Sequence, residues 1–146
     1  MEIKRKPVVV GGERRAYATG TAAVAARGFI TLSGAVGEDA QSGAIPESIG
    51  EQTTIALGNI KQRLEEMGSS LANIMHIWWY LVGDFPGGIS STEEWRECAR
   101  AIEYFWKDNC PEFYYKNNPP AGTLLGVTAL AGPKLKIEIM VMAAIS

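Results

Sequence analysis

Few residues in this chain could carry acid–base, nucleophilic or metal chemistry. There is one histidine, His76, and there are two cysteines, Cys98 and Cys110. A serine–histidine–aspartate triad would have to be built around His76, which lies in the aromatic run MHIWWYL, where packing in the core or at an interface is favoured over catalysis. The cysteines lack CxxC spacing, and no cluster of His, Cys and carboxylates has the spacing of metal ligands. The sequence therefore predicts no metal site.

Glu138 is the carboxylate most able to do proton chemistry, because it interrupts the apolar C-terminal run KIEIMVMAAI. It shares one face of the predicted strand with Met140 and Met142. If that face meets another subunit, the carboxylate has a raised pKa or a firm hydrogen-bond partner, and either could serve proton transfer. In the alternative, Glu138 reaches solvent or pairs with Lys134 or Lys136. The pattern alone leaves both interpretations open.

Two glycine-containing stretches could also belong to a site. NPPAGTLLGV, at 118–127, indicates a loop that enters a strand, with Gly122 at the point of entry. GAVGED, at 34–39, has neither GxGxxG nor P-loop spacing and does not precede a helix, so its glycines indicate turns.

Composition places the chain among ordinary globular domains. It has 146 residues, 47% of them apolar, and a net charge of −2. This length fits a single domain, and the acidic balance makes a nucleic-acid partner unlikely. No apolar run reaches the ~20 residues of a membrane span, and the N-terminus has too short an apolar segment for a signal peptide. The expected location is the cytoplasm.

Two helices are predicted from their caps and their apolar spacing. Ser48 and Glu51 form a capping box, in which each satisfies the other's amide, and Gly68 ends that helix. Ser91 and Glu94 form a second box before an apolar helical face that continues to Cys110.

Strands are predicted within 22–34, broken by a turn at Arg27-Gly28, and at about 74–82, 123–131 and 136–144. The order β, β, α, β, α, β, β indicates an α+β fold in which two helices cover one face of a single sheet. The last strand is apolar on both faces, so a partner chain is expected to cover the second face. The sequence therefore predicts an oligomer.

In combination, several segments resemble the Rid family (YjgF/YER057c/UK114) over nearly the whole chain. They are Tyr17, FITLSG at 29–34, EQTTIALGNIKQRLEEMGSSLANI at 51–74 and KIEIMVMAAI at 136–145. The resemblance implies one Rid-family domain, residues 1–146, with a chorismate-mutase-like α+β fold. It also implies a homotrimer with a barrel of sheets inside, helices outside and ligand clefts between subunits.

The best-defined members of that family are enamine/imine deaminases that need no metal or cofactor. The resemblance assigns catalytic roles to Glu138 and Ser33 and substrate contacts to Tyr17 and Gly34. The family's carboxylate-gripping arginine falls on Gly122, and we assign Thr123 beside it to the same cleft.

Loss of the arginine should weaken the hydrolysis of small 2-imino acids, because a bidentate contact between arginine and carboxylate is lost. Arg14, Arg15 or Lys116 could supply another cation. Trp78 and Trp79 are expected in the core or an interface, with an aromatic wall for a larger ligand as the alternative.

Three functional readings follow. The favoured one is a hydrolase or tautomerase acting on an imine, an enamine or a related unsaturated amine. The second is a non-catalytic trimer that binds a metabolite or a partner protein. The third, ribonuclease or translation inhibitor, is disfavoured by the acidic balance.

Overall fold

The computed structural model describes residues 4–7, 9–14, 21–26, 28–116 and 118–145. The strands are β1 Lys4–Pro7, β2 Val9–Val10, β3 Glu13–Arg14, β4 Thr21–Ala26, β5 Phe29–Leu32, β6 Ala35–Val36, β7 Ile74–Val82, β8 Ala121–Val127 and β9 Ile137–Ala144. The helices are α1 Ile49–Glu66, α2 Glu93–Asn109 and α3 Pro111–Tyr115, with a 3-10 turn at Leu71–Asn73.

One mixed sheet organises the fold, in the order β1-β4-β5-β9-β7-β8. β9 is central, because β5 and β6 pair with successive parts of one of its edges while β7 pairs with the other. β7 and β8 run parallel, and the other pairs in this sheet are antiparallel. This is the predicted α+β architecture with one sheet and two main helices.

The helix-facing side of β9 forms the centre of the core. Its alternate side chains are fully buried against α1. On β9 they are Ile137, Ile139, Val141 and Ala143, and on α1 they are Ala56, Leu57, Ile60 and Leu64. Every second side chain of the strand and every third or fourth side chain of the helix thus pack against one another, as the sequence predicts. α2 packs on α1 and reaches the sheet through Trp95, whose ring meets that of Trp79 edge-on at 6.4 Å.

A buried glutamine sets the start of β9. The side-chain amide of Gln52 donates to the carbonyls of Pro46 (2.8 Å) and Lys134 (2.9 Å), and its oxygen accepts from the Lys136 N–H (2.9 Å). Because the Gln52 side chain is fully buried, leaving its amide without these partners would be costly. They hold the strand that carries Glu138 in place against α1.

The caps of α1 follow the prediction in part. Ser48 Oγ accepts from the Glu51 N–H at 3.2 Å, but Glu97 of α2 accepts from the Gly50 N–H at 3.0 Å and from Ser48 Oγ at 2.7 Å. At the other end Gly68 has φ 82°, and the Ser69 N–H reaches the Leu64 carbonyl at 2.9 Å, which is a Schellman ending.

Two predicted boundaries were wrong, and several short elements were missed. The N-cap of α2 is Thr92 rather than Ser91, because Thr92 Oγ1 accepts from the Trp95 N–H at 3.3 Å. β8 spans Ala121–Val127 rather than 123–131, since its parallel pairing with β7 ends where β7 ends. The short elements β1, β2, β3, β6 and α3 were not predicted.

The second face of the sheet is apolar, as predicted from the last strand. Half-buried side chains of β7 and β9 line it, and at its margins Phe29 is 52% and Leu125 41% exposed. Within the described ranges, no helix is long and apolar enough to cross a membrane.

Candidate active site

The Ser33–Gly34 turn and Glu138 lie together, as the sequence predicts. β6 follows the turn and pairs with β9 so that Val36 is opposite Glu138. A Cβ built on Gly34 would lie 2.5 Å from Glu138 Cδ and 2.8 Å from its Oε2. No real side chain tolerates such contacts, so the glycine allows the carboxylate to rest against the backbone of the turn.

Glu138 is half-buried on the second face of the sheet. Burial raises the pKa of its carboxyl above the ordinary glutamate value. Among the described residues none donates a hydrogen bond to it or forms an ion pair with it. Lys136 instead binds the carbonyl oxygen of Glu47. Of the interpretations that the sequence left open, a carboxyl group with a raised pKa agrees with the single chain, and pairing with Lys136 is wrong.

A cation that sequence reasoning missed contacts the other side of the turn. Arg63, in the last turn of α1, donates from Nη1 to the carbonyl oxygen of Ser33 at 3.5 Å, a long hydrogen bond. Burial lowers the pKa of its guanidinium, and Glu66 opposes this shift in part. In the sequence Arg63 is one of several polar residues on the surface of α1. No local signal therefore distinguishes it or predicts its contact with a residue thirty positions away.

Of the three cations considered from the sequence, the structure describes the side chain of Lys116 alone. Tyr17 and Arg15 lie outside the described residues, and so does the side chain of Arg14. Lys116 is exposed just beyond α3. The predicted role of Tyr17 therefore stays a prediction.

Gly122 lies in β8 opposite Ile77 and is exposed. A Cβ built on it would lie 3.7 Å from Trp79 Nε1 and 3.8 Å from the Ile77 carbonyl oxygen, which are ordinary contacts. Its φ is not in the left-handed region. Neither packing nor backbone conformation therefore requires glycine here, in contrast to Gly126, where a Cβ would lie 2.8 Å from the Phe85 ring.

Within one chain, Gly122 and Glu138 lie apart. They belong to strands on opposite sides of β7, and Gly122 is opposite Ile77 whereas Glu138 is opposite Tyr80.

Thr123 contacts His76 in the single chain. Its Oγ1 lies 3.0 Å from His76 Nε2, and the imidazole stacks on Trp78 with ring centroids 3.9 Å apart. His76 is half-buried and hydrogen-bonded, in keeping with the predicted packing role. Trp79 also packs against the core, as expected.

A groove of about 800 Å³ lies elsewhere, between the loop before α1 and the exposed side of both long helices. Ile45, Ile55 and Tyr104 are among its lining residues, and none of Ser33, Gly34 and Glu138 is. Across the described ranges, no group of His, Cys, Asp and Glu is arranged to hold a metal ion.

Comparison with known proteins places these residues in a family. The sequence profile described as endoribonuclease L-PSP matches residues 13–145. No curated protein sequence matches the chain.

Solved structures share the fold. Yeast Mmf1 superposes with a TM-score of 0.74 at 22% identity, covering 99% of this chain and 100% of that one. Rv2704 from Mycobacterium tuberculosis, a YjgF/YER057c/UK114 family member, gives 0.70 at 22% identity over 99% and 100% of the two chains. E. coli TdcF with bound serine gives 0.73 at 19% identity over 97% and 94%.

Proposed function

Because the chain belongs to the endoribonuclease L-PSP family, we propose that it hydrolyses an imine or enamine without a cofactor, in a cleft between subunits of a homotrimer. The profile match over residues 13–145 agrees with the resemblance to the Rid (YjgF/YER057c/UK114) family. The observation that carries the proposal is the half-buried carboxylate of Glu138 beside the Ser33–Gly34 turn, which has no partner among the residues that the structure describes. A desolvated carboxylate with a raised pKa is typical of a general acid–base group.

The reaction adds water to a C=N bond. The water oxygen bonds to the imine carbon while Glu138, ionised, takes a proton from that water and passes it to the nitrogen. In the resulting carbinolamine Glu138 takes the hydroxyl proton and passes it to the nitrogen, so that the C–N bond breaks, ammonia leaves, a ketone forms and Glu138 is ionised again. The Ser33–Gly34 turn donates hydrogen bonds to the substrate, and Tyr17 closes the cleft over it.

A trimer would supply what the single chain lacks. The apolar second face, with Phe29 and Leu125 exposed, is the surface we assign to contacts between copies. Packing of this face against a second copy would also bring the β8 end that carries Gly122 and Thr123 toward a neighbour's Glu138.

Gly122 sets the substrate preference in this proposal. Without a guanidinium at this position, the carboxylate of a small substrate loses a partner that would bind it through two hydrogen bonds, and it is held weakly. The substrate is accordingly larger, less dependent on its carboxylate, or held by another cation.

Two alternative functions, metabolite binding without turnover and RNA cleavage, can be distinguished from imine hydrolysis by direct tests. E. coli TdcF was solved with bound serine, so a binding protein without turnover is the second candidate. RNA cleavage is suggested by the family's description, but the net charge of −2 disfavours it. RNA affinity that falls steeply with salt, together with cleavage, would support the ribonuclease over the deaminase.

The proposal is tested with imines generated in situ by an amino-acid oxidase and trapped by semicarbazide. If the protein is a deaminase, it lowers the yield of semicarbazone for at least one imine in a concentration-dependent way. Unchanged yields across small, large and aromatic imines would remove the deaminase proposal and leave the binding role.

A further inference from the structure

The Ser33–Gly34 peptide lies between two charged side chains. On one side its carbonyl oxygen accepts from Arg63 Nη1 at 3.5 Å. On the other, the Cα of Gly34 rests against the carboxyl group of Glu138. The turn therefore separates a half-buried cation from a half-buried carboxylate.

The geometry of the peptide fixes where its N–H points. The bond is trans, so the N–H of Gly34 is directed opposite to the carbonyl that faces Arg63. No backbone carbonyl of the described residues accepts this N–H. A donor thus remains available on the side of the turn away from Arg63.

The charge of Arg63 strengthens that donor. A cation beside a carbonyl oxygen draws electron density through the peptide and makes the N–H at its other end more positive. Arg63 is half-buried, where water screens this effect less than at the surface. Glu66, which is exposed one turn along α1, favours the charged form of Arg63.

We propose that Arg63 is a positioning residue, which fixes the Ser33–Gly34 peptide and polarises it so that the Gly34 N–H binds a carboxylate oxygen of the ligand. This inference rests on the proposed function, since it concerns the same site. Arg63 acts through the turn rather than by direct contact. In a chain with Gly122, it provides positive potential for an anionic ligand from the opposite side of the turn.

The first test compares Arg63→Gln and Arg63→Lys with the control Arg96→Gln, an exposed arginine paired with Glu93. Arg63→Gln should raise KM for a carboxylated imine about tenfold and leave kcat within about threefold, because hydrogen bonds to charged groups contribute more than neutral ones. Arg63→Lys keeps the charge and should recover most of this loss. Equal KM in Arg63→Gln and wild type would overturn the inference.

A second measurement needs no turnover. Pyruvate, a 2-oxo acid of the class that imine hydrolysis releases, is titrated into the ¹⁵N-labelled protein while the Gly34 amide is followed by NMR. The wild-type amide should shift saturably, with about tenfold weaker binding in Arg63→Gln. No saturable shift in the wild type overturns the inference even if Arg63→Gln fails to fold.

The two proposals fail separately. If pyruvate shifts the Gly34 amide in a way that depends on Arg63, but the protein hydrolyses no imine, the proposed function is wrong and this inference stands. If the protein hydrolyses imines at a rate that does not depend on Arg63, and the Gly34 amide does not shift, this inference is wrong and the proposed function stands.

Discussion

The carboxyl group of Glu138 lies directly against the Cα of Gly34, where a Cβ would come within 2.5 Å of Glu138 Cδ. The two residues are separated by more than a hundred positions and meet because β6 pairs with β9. Glycine at 34 thus lets a carboxylate occupy a half-buried place beside a backbone turn. The contact links the packing of the sheet to the chemistry proposed for the site.

Gly34→Ala tests this contact. The new methyl group must displace the Glu138 side chain, so turnover should fall about a hundredfold. Because the new methyl group meets only the end of a flexible side chain, the free energy of unfolding should fall by no more than about 1 kcal/mol, the lower end of the cost of overpacking. Steady-state kinetics and thermal unfolding measure the two effects.

The matched control is Gly58→Ala in α1, where a Cβ would meet nothing within 4 Å. It should stabilise the protein by about 0.5–1 kcal/mol, because alanine loses less backbone entropy than glycine in a helix, and leave turnover unchanged. An active Gly34→Ala would show that Glu138 works from another position.

Glu138 should reduce stability at neutral pH. Burial raises its pKa in the folded state, so the folded protein binds the proton more readily than the unfolded chain. The free energy of unfolding therefore falls as pH rises from the ordinary glutamate value through the raised one. Glu138→Gln should melt higher than wild type at pH 7, and the difference should close below about pH 4.

Glu94→Gln is the control for this prediction, since Glu94 is exposed in the first turn of α2. Its melting temperature should follow that of the wild type at each pH. A Glu138→Gln variant less stable than wild type at pH 7 would point to a favourable partner for the carboxylate.

Gly122→Arg should restore a carboxylate clamp. Packing leaves room for a Cβ, since the nearest atom, Trp79 Nε1, would be 3.7 Å away. KM for small carboxylated imines should fall tenfold or more, about what a bidentate contact between arginine and carboxylate contributes. Gly122→Gln, a long side chain without charge, should change KM little. An equal improvement in both variants would exclude an electrostatic clamp.

The apolar face of the sheet should hold the copies together. Phe29 is 52% exposed at its margin, so Phe29→Glu would place a charge in the proposed contact. Light scattering should give a trimeric mass for the wild type and a smaller mass for the variant. Thr54→Glu, at an exposed site on α1, should remain trimeric. A monomeric wild type would contradict the assembly.

Much of the fold could be predicted, because the spacing of apolar side chains and the residues that cap helices are local signals in the sequence. The bounds of β7 agree with its apolar run, and Gly68 ends α1 through its positive φ. α3 was missed because the apolar face of the second predicted helix ends at Cys110, although the proline that follows is suited to the first turn of another helix. β2, β3 and β6 have two residues each, too few for a period to show.

The site was predicted where the family motif covers it and missed where tertiary contact decides. Ser33, Gly34 and Glu138 do meet, but nothing local distinguishes Gly34, which packing requires, from Gly122, which it does not. Arg63 belongs to a polar helix surface in the sequence, and only the fold brings it to the carbonyl of Ser33.

The most direct test of the central claim is the pH dependence of imine hydrolysis by the wild type and Glu138→Gln. For the wild type, kcat/KM should fall as pH drops through a pKa raised above the ordinary glutamate value, because the ionised carboxylate is the base. Glu138→Gln should lose about 10²–10⁴-fold in kcat and retain ligand binding. If the variant hydrolyses the same imines at the wild-type rate, Glu138 is not the proton-transfer group and the account of this site is wrong.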